Sequence, residues 1–314
     1  MIWPTLPASV HYALYGVFAL LLTASAATAL LARLRPERNY TELRLRVKTW
    51  WLIVAVFTAA IVFSKTVSVV VFAFISFLAF KEYLSLITTR RSDHRVLLWA
   101  YLAIPFQYYW VGIAWYGMFL IFIPVYAFLF LPMRMVMIGD TQGFLRAAGT
   151  LHWGLMTTVF SLSHMAYLLA LPDSVNPAGG SAGLLLYLVF LTEINDVAQY
   201  IWGKTFGRHK VIPKVSPNKT VEGFLGGVLT TALLAMLLAP WLTPLARWEA
   251  LAAGALIGLA GFIGDVTISA IKRDIGVKDS GSVLPGHGGI LDRVDSLTYT
   301  APLFLHFTRY FYYS

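Results

Sequence analysis

Apolar runs long enough to cross a bilayer alternate with short polar loops along the whole chain. About 20 apolar residues span the hydrocarbon core as a helix. Candidate spans lie at 10–32, 50–64, 66–81, 96–112, 113–131, 148–171, 183–202, 223–242, 250–271 and 297–313. The stretch 50–80 is too long for one straight span and short for two. A tight hairpin is predicted there, with Lys65 reaching out to the interface. The fold class is therefore all-α, a polytopic integral membrane helix bundle of about ten transmembrane helices. Trp50, Trp51, Trp99, Trp110, Trp115, Tyr310, Tyr312 and Tyr313 lie near span ends, as an interfacial aromatic belt requires.

Charge in the loops sets the orientation. With the N-terminus outside and the spans alternating, all but Lys65, Arg247 and Arg309 of the 24 Lys and Arg residues fall on the inner face. Cytoplasmic loops carry such an excess, so the polar loops 203–222 and 272–296 are expected in the cytoplasm. The outer loop 172–181 is rich in Pro and Gly and has no basic residue. Ala24-Ser25-Ala26 imitates a signal-peptidase site. However, Arg33, Arg35 and Arg38 follow the first apolar run and no basic residue precedes it, so it reads as an uncleaved span.

Composition agrees with a membrane protein: 58% hydrophobic, 12% charged, mean hydropathy +0.70. Globular chains carry about twice that charge. The net charge of +9 follows from the inner-face bias and does not call for a nucleic-acid partner. With no Cys, disulfides, thiolate catalysis and Cys-ligated metals are excluded. The chain divides loosely into a scaffold, residues 1–147, and a region carrying the chemistry, residues 148–314.

Three carboxylates interrupt apolar segments: Glu193, Asp196 and Asp265. Ionisable groups at membrane depth are costly and default to functional candidates. Asp265, Ser269 and Lys272 are spaced i, i+4, i+7 and share a helix face. A carboxylate below a rim of Lys272 and Arg273 suits a cation beneath phosphates. Mg²⁺ takes oxygen ligands and usually only one or two protein carboxylates. Asp292 and Asp295, on the return segment, are candidates for the second. Gly286, Gly288 and Gly289 flank His287, and successive backbone N–H groups there can form an anion nest. His287 is a candidate phosphate donor or general acid. In the other polar loop, Thr220-Val-Glu222-Gly223 opens a span, and helix starts bind phosphate readily.

The run Ser269-x-x-Lys272-Arg273, Lys278-Asp279, then His287-Gly288-Gly289-x-x-Asp292-Arg293-x-Asp295 resembles the signature of the phosphatidate cytidylyltransferases (CDP-diacylglycerol synthases), at the family's spacing. Ser216-Pro-Asn218-Lys219-Thr220-x-Glu222-Gly223 resembles the family's second block, with Asn218 in place of a Lys. Asp196-Val-Ala-Gln-Tyr200 departs from the family's Asp-x-x-Ala-Tyr at Gln199, which weakens a role for Tyr200. The resemblance implies transfer of CMP from CTP to phosphatidate, giving CDP-diacylglycerol and pyrophosphate at the cytoplasmic face of a bacterial inner membrane. It implies Mg²⁺ on Asp265 and Asp292, leaves a monovalent cation beside it open, and is compatible with a monomer or a homo-oligomer. Catalytic roles fall on Asp265, Lys272, Arg273, Lys278, Asp279, His287, Asp292, Arg293 and Asp295. Substrate contacts fall on Asp196, Ser216, Asn218, Lys219, Thr220, Glu222, Gly223, Ser269, Gly288 and Gly289. A CTP-dependent lipid-alcohol kinase and an ion-coupled transporter are the alternatives. A transporter would distribute its polar groups through both halves, whereas here they gather at one face.

Overall fold

The computed structural model describes residues 6–37, 39–281, 283, 286 and 288–313. Among these the regular structure is helical, apart from isolated β-bridge residues, among them the pair Lys210 and Thr220. The helices are α1 (Ala8–Leu34), α2 (Thr41–Val62), α3 (Lys65–Leu86), α4 (His94–Gly112), α5 (Tyr116–Ile121), α6 (Phe128–Val136), α7 (Phe144–Leu155), α8 (Ser161–Leu168), α9 (Gly180–Phe206), α10 (Val221–Leu242), α11 (Arg247–Asp274), α12 (Leu291–Val294) and α13 (Leu297–Tyr312). Wide π turns at Phe122–Ala127 and Met156–Phe160 join α5 to α6 and α7 to α8 into continuous rods. Pro124, which has no N–H to donate, sits inside the first of these turns.

Each of the ten expected spans coincides with a helical rod. Seven of them, including the α5–α6 rod Tyr116–Val136, are long and apolar enough to cross a membrane by length and composition alone. The α7–α8 rod, α4 and α13 are the others. With 16 residues, α13 reaches about 24 Å at 1.5 Å per residue, short of the roughly 30 Å core. The hairpin at Lys65 is present. Only Phe63 and Ser64 separate α2 from α3, and the Ser64 hydroxyl accepts from Val67 N–H at 3.2 Å, capping α3.

One buried apolar cluster runs from Val10 to Tyr313, so the scaffold and chemical regions share a core. Lipid gives helices no hydrophobic drive to associate, so close packing and interhelical hydrogen bonds must hold them together. Between α10 and α11 the approach is closest. A Cβ on Gly258 would lie 2.9 Å from Val228 Cα, and one on Gly254 would overlap Ala235. Asn195 of α9 bridges the same seam. Its Nδ2 donates to Gly258 O at 3.3 Å, and its Oδ1 accepts from Thr231 at 3.3 Å. This tight α9–α10–α11 packet brings Asp196, Lys219 and Asp265 to one end of the bundle.

Candidate active site

The loop between α9 and α10 folds back on itself. Val221 N–H donates to His209 O at 2.8 Å and Val211 N–H to Lys219 O at 3.2 Å. Thr220 caps α10 by accepting from Gly223 N–H at 3.1 Å. Glu222 reaches back to the N–H of Arg208 at 3.0 Å and to His209 Nδ1 at 2.6 Å. Thr220, Glu222 and Gly223 therefore build the loop and spend their polar groups doing so. What the loop delivers is Lys219. Its Nζ meets Gln199 Oε1 at 2.9 Å and Asp265 Oδ2 at 2.6 Å.

From α11, Asp265, Ser269 and Lys272 do share a face. Ser269 Oγ donates to Asp265 Oδ1 at 3.3 Å, and Lys272 Nζ pairs with Asp292 Oδ1 at 2.6 Å. Asp292 Oδ2 accepts from Ser280 N–H at 2.8 Å and Gly289 N–H at 3.0 Å. Burial pushes the Asp292 carboxyl up, but Lys272 and these two N–H groups outweigh it and hold the group below its ordinary value.

Eight charged side chains line one cavity of about 260 Å³: Asp196, Lys219, Asp265, Lys272, Asp279, Asp292, Arg293 and Asp295. Every one was picked out in the sequence. Burial, with Asp265 and Asp196 beside it, pushes the Asp295 carboxyl well above the usual carboxylate range. Asp196 Oδ2 accepts from Ser296 at 3.0 Å, while its Oδ1 and Arg293 Nε are buried without a hydrogen-bond partner. These unpaired groups are free to meet a bound ligand. An all-oxygen donor set with one unused carboxylate oxygen suits a hard cation. No three His, Asp or Glu among the described residues are grouped to hold an ion by themselves. The fit is to an ion sharing one or two carboxylates with phosphate oxygens. A larger open cavity of about 610 Å³ between α1 and α2 has Arg33, Arg44 and Lys48 on its walls but no carboxylate.

Other expected residues lie outside the cavity. Arg273 donates to Val215 O at 3.3 Å and Val277 O at 3.2 Å, tying the two loops together. Lys278 and Asn218 are exposed, and Ser216 is half-buried with its carbonyl accepting from Lys219 N–H at 3.3 Å. Tyr200 is 66% exposed and does not line the cavity. Gly288 adopts φ +79°, which favours glycine. Its neighbour Gly289 gives its N–H to Asp292, and Ile290 and Leu291 give theirs to Glu82. Of the backbone expected to form a phosphate nest, the Gly289 N–H is therefore engaged by a protein carboxylate. The His287 assignment lies outside the described residues.

Sequence reasoning missed Glu82, Gln199, Ser280 and Ser296. Gln199 follows Asp196 by three residues on one helix face and stands where the family pattern has Ala, but neither signal marked it as a partner of Lys219. Glu82 ends an apolar span far away in sequence, where it looks like one more interfacial charge.

The fold and site define a polytopic helix bundle with a charged cavity at one end. The profile of the cytidylyltransferase family matches residues 44–311. The chain belongs to the cytidylyltransferase family and is a nucleotidyltransferase with membrane-spanning helices. It is 50% identical over 294 residues to YnbB of Escherichia coli, an uncharacterised protein, covering 94% of this chain and 96% of that one. It is 41% identical over 120 residues to the phosphatidate cytidylyltransferases of Staphylococcus saprophyticus and Staphylococcus aureus. That match covers 38% of this chain and 46%, about half, of theirs.

Proposed function

We propose that this protein transfers CMP from CTP to phosphatidate, yielding CDP-diacylglycerol and pyrophosphate. We place the reaction at the cytoplasmic face of a bacterial inner membrane, with the N-terminus outside. The observation that carries the reading is the cavity, where the signature residues Lys272, Asp279, Asp292, Arg293 and Asp295 meet Asp196, Lys219 and Asp265. A phosphatidate oxygen attacks the α-phosphorus of CTP. The new O–P bond forms as the bond from the α-phosphorus to the β-bridging oxygen breaks, and the electron pair leaves with pyrophosphate. The attacking oxygen is already anionic at neutral pH, so no strong base is needed. The task is to hold two polyanions in line.

Lys219, Lys272 and Arg293 are the cations that face this task. Two of them are already fixed by Asp265 and Asp292, so their positions are set before substrate arrives. Asp265, with Asp196 or Asp292 beside it, would hold Mg²⁺, which supplies charge neutralisation on the phosphates. The acyl chains would stay in the bilayer while the headgroup enters from the side.

The test is to incubate purified protein with phosphatidate, Mg²⁺ and CTP labelled at the α-phosphate. Labelled lipid with equimolar pyrophosphate is the expected result. With a lipid alcohol added as acceptor and CTP labelled at the γ-phosphate, label reaching the lipid with CDP released, and none from the α-phosphate, would replace this reading by the lipid kinase. No labelled lipid from either form of CTP would end it.

A further inference from the structure

Glu82 lies at the inner end of α3, in the half of the chain that carries none of the signature, yet it is 8% exposed. A buried carboxylate needs donors, and Glu82 finds all of those shown here in the signature loop, about 200 residues away. Its Oε1 accepts from Ser280 Oγ and, at 3.1 Å, from Leu291 N–H; its Oε2 accepts from Ile290 N–H at 2.8 Å. Among the described residues no Lys or Arg pairs with it. Its charge is met by hydroxyl and backbone donors alone.

These bonds have a second partner. Ser280 N–H and Gly289 N–H go to Asp292 Oδ2, while Ser280 Oγ, Ile290 N–H and Leu291 N–H go to Glu82. Two carboxylates therefore clasp both ends of the loop, at 280 and at 289–291, and draw them together. The clasp needs room. A Cβ on Gly289 would overlap Glu82 Oε1, and one on Gly281 would sit 3.1 Å from Glu82 Cδ. Both glycines make way for this side chain. Asp279 adjoins one end of the clasp, and Asp292 and Arg293 follow the other; all three face the cavity.

We propose that Glu82 is a positioning residue. From α3 it closes the base of the 280–291 loop and so fixes where Asp279, Asp292 and Arg293 stand in the reaction cavity. The proposal rests on the cytidylyltransferase reading for its kinetic consequence, but not for the clasp itself.

The test uses full-length protein in detergent–lipid micelles. Glu82→Gln keeps the shape but turns an amide NH₂ towards backbone N–H donors. It should remain folded, with its unfolding midpoint close to wild type. Its kcat/KM for CTP should fall about 10- to 100-fold, the scale seen when a group supporting an active-site ligand is lost. Trypsin cleavage after the exposed Lys278, beside the clasp, should accelerate about tenfold. If Glu82→Gln does not fold, Glu82→Asp carries the test: the charge is kept one methylene shorter, and both changes should appear to a smaller degree. A folded variant with kcat/KM within threefold of wild type and unchanged cleavage would overturn the proposal. Activity lost only in proportion to unfolded protein would overturn it too. If wild-type protein made no CDP-lipid, the reaction reading would fall and the cleavage arm would still decide the clasp.

Discussion

Lys272→Met should destabilise the protein by more than the Lys272–Asp292 pair is worth. The substitution keeps an unbranched apolar stem and deletes the charge. Nζ and Oδ1 are 2.6 Å apart, and both residues are buried. At that distance two unit charges attract by about 6 kcal/mol at an effective dielectric near 20. Desolvation of both ions offsets most of this, whereas removing one partner leaves the other buried and unpaired at a cost of roughly 3–5 kcal/mol. Asp292 keeps the Ser280 and Gly289 N–H donors. The expected loss is therefore at the lower end, about 3 kcal/mol. Lys272→Met with Asp292→Asn removes both charges yet leaves an amide oxygen for the two N–H groups. The double variant should be less damaged than the sum of the singles, by about 1.5 kcal/mol or more. Denaturant unfolding in micelles, followed by the fluorescence of the 10 Trp residues, measures all four proteins. Additivity within about 0.5 kcal/mol would refute the reasoning.

The same pair has a pH signature with a definite sign. The Asp292 carboxyl is held below its ordinary value in the folded protein, Lys272 and the two N–H groups outweighing burial. Its contribution is complete above the unfolded carboxylate value of about 3.9 and is lost only as the pH falls through the lower folded value. Wild-type stability should therefore owe nothing to this group's titration between about pH 5 and pH 8. In Lys272→Met, burial acts with less opposition and the folded value moves up. The stability gap between variant and wild type, read by denaturant unfolding at each pH, should therefore narrow as the pH falls through the two folded values.

Asp265→Asn should abolish turnover in a protein that still folds, because it weakens the cavity's contact with Lys219 and removes a carboxylate beside Asp196 and Asp295; near-normal turnover at saturating Mg²⁺ would take Asp265 out of the metal's reach. The cavity holds five Asp against three cations, so CTP should bind poorly in EDTA and regain affinity with Mg²⁺; metal-independent CTP affinity would show that the protein's own cations suffice. For sidedness, Ser280 is buried and unsuitable as a probe, whereas Val283 and Ser174 are exposed. In this Cys-free chain, Val283→Cys should resist an impermeant thiol reagent in sealed cells and Ser174→Cys should react, and outside labelling at 283 would reverse the orientation.

The bundle was legible because lipid imposes a simple rule: every backbone group in the core must be satisfied, which leaves helices. Hydropathy then located all ten rods, even the short break at Phe63 and Ser64. What hydropathy could not foretell is how a rod bends inside. The π turns at Phe122–Ala127 and Met156–Phe160 keep both segments helical and apolar, so they leave the pattern unchanged. The cavity was legible for a different reason. Ionisable groups are so expensive near the bilayer that Asp196 and Asp265 stood out singly, and Lys272, Asp279, Asp292, Arg293 and Asp295 stood out as a cluster.

Roles within the cluster were harder to read, because a charged residue in a motif has the same letter whether it meets substrate or protein. Glu222 was expected as a substrate contact, and in the structure its carboxylate closes its own loop through Arg208 and His209. Gly286, Gly288 and Gly289 around His287 were expected to form a phosphate nest; in the structure the N–H of 289 goes to Asp292 and those of the following 290 and 291 go to Glu82. A backbone nest is selective for negative charge, not for phosphate, and a carboxylate anchored on a rigid helix can fill it permanently. A loop held this way is kept in one shape. The clasp leaves phosphate binding, in the proposed reaction, to Lys219, Lys272 and Arg293, which line the cavity itself. It also draws the first half of the chain into the chemistry, since α3 carries the carboxylate that shapes the loop.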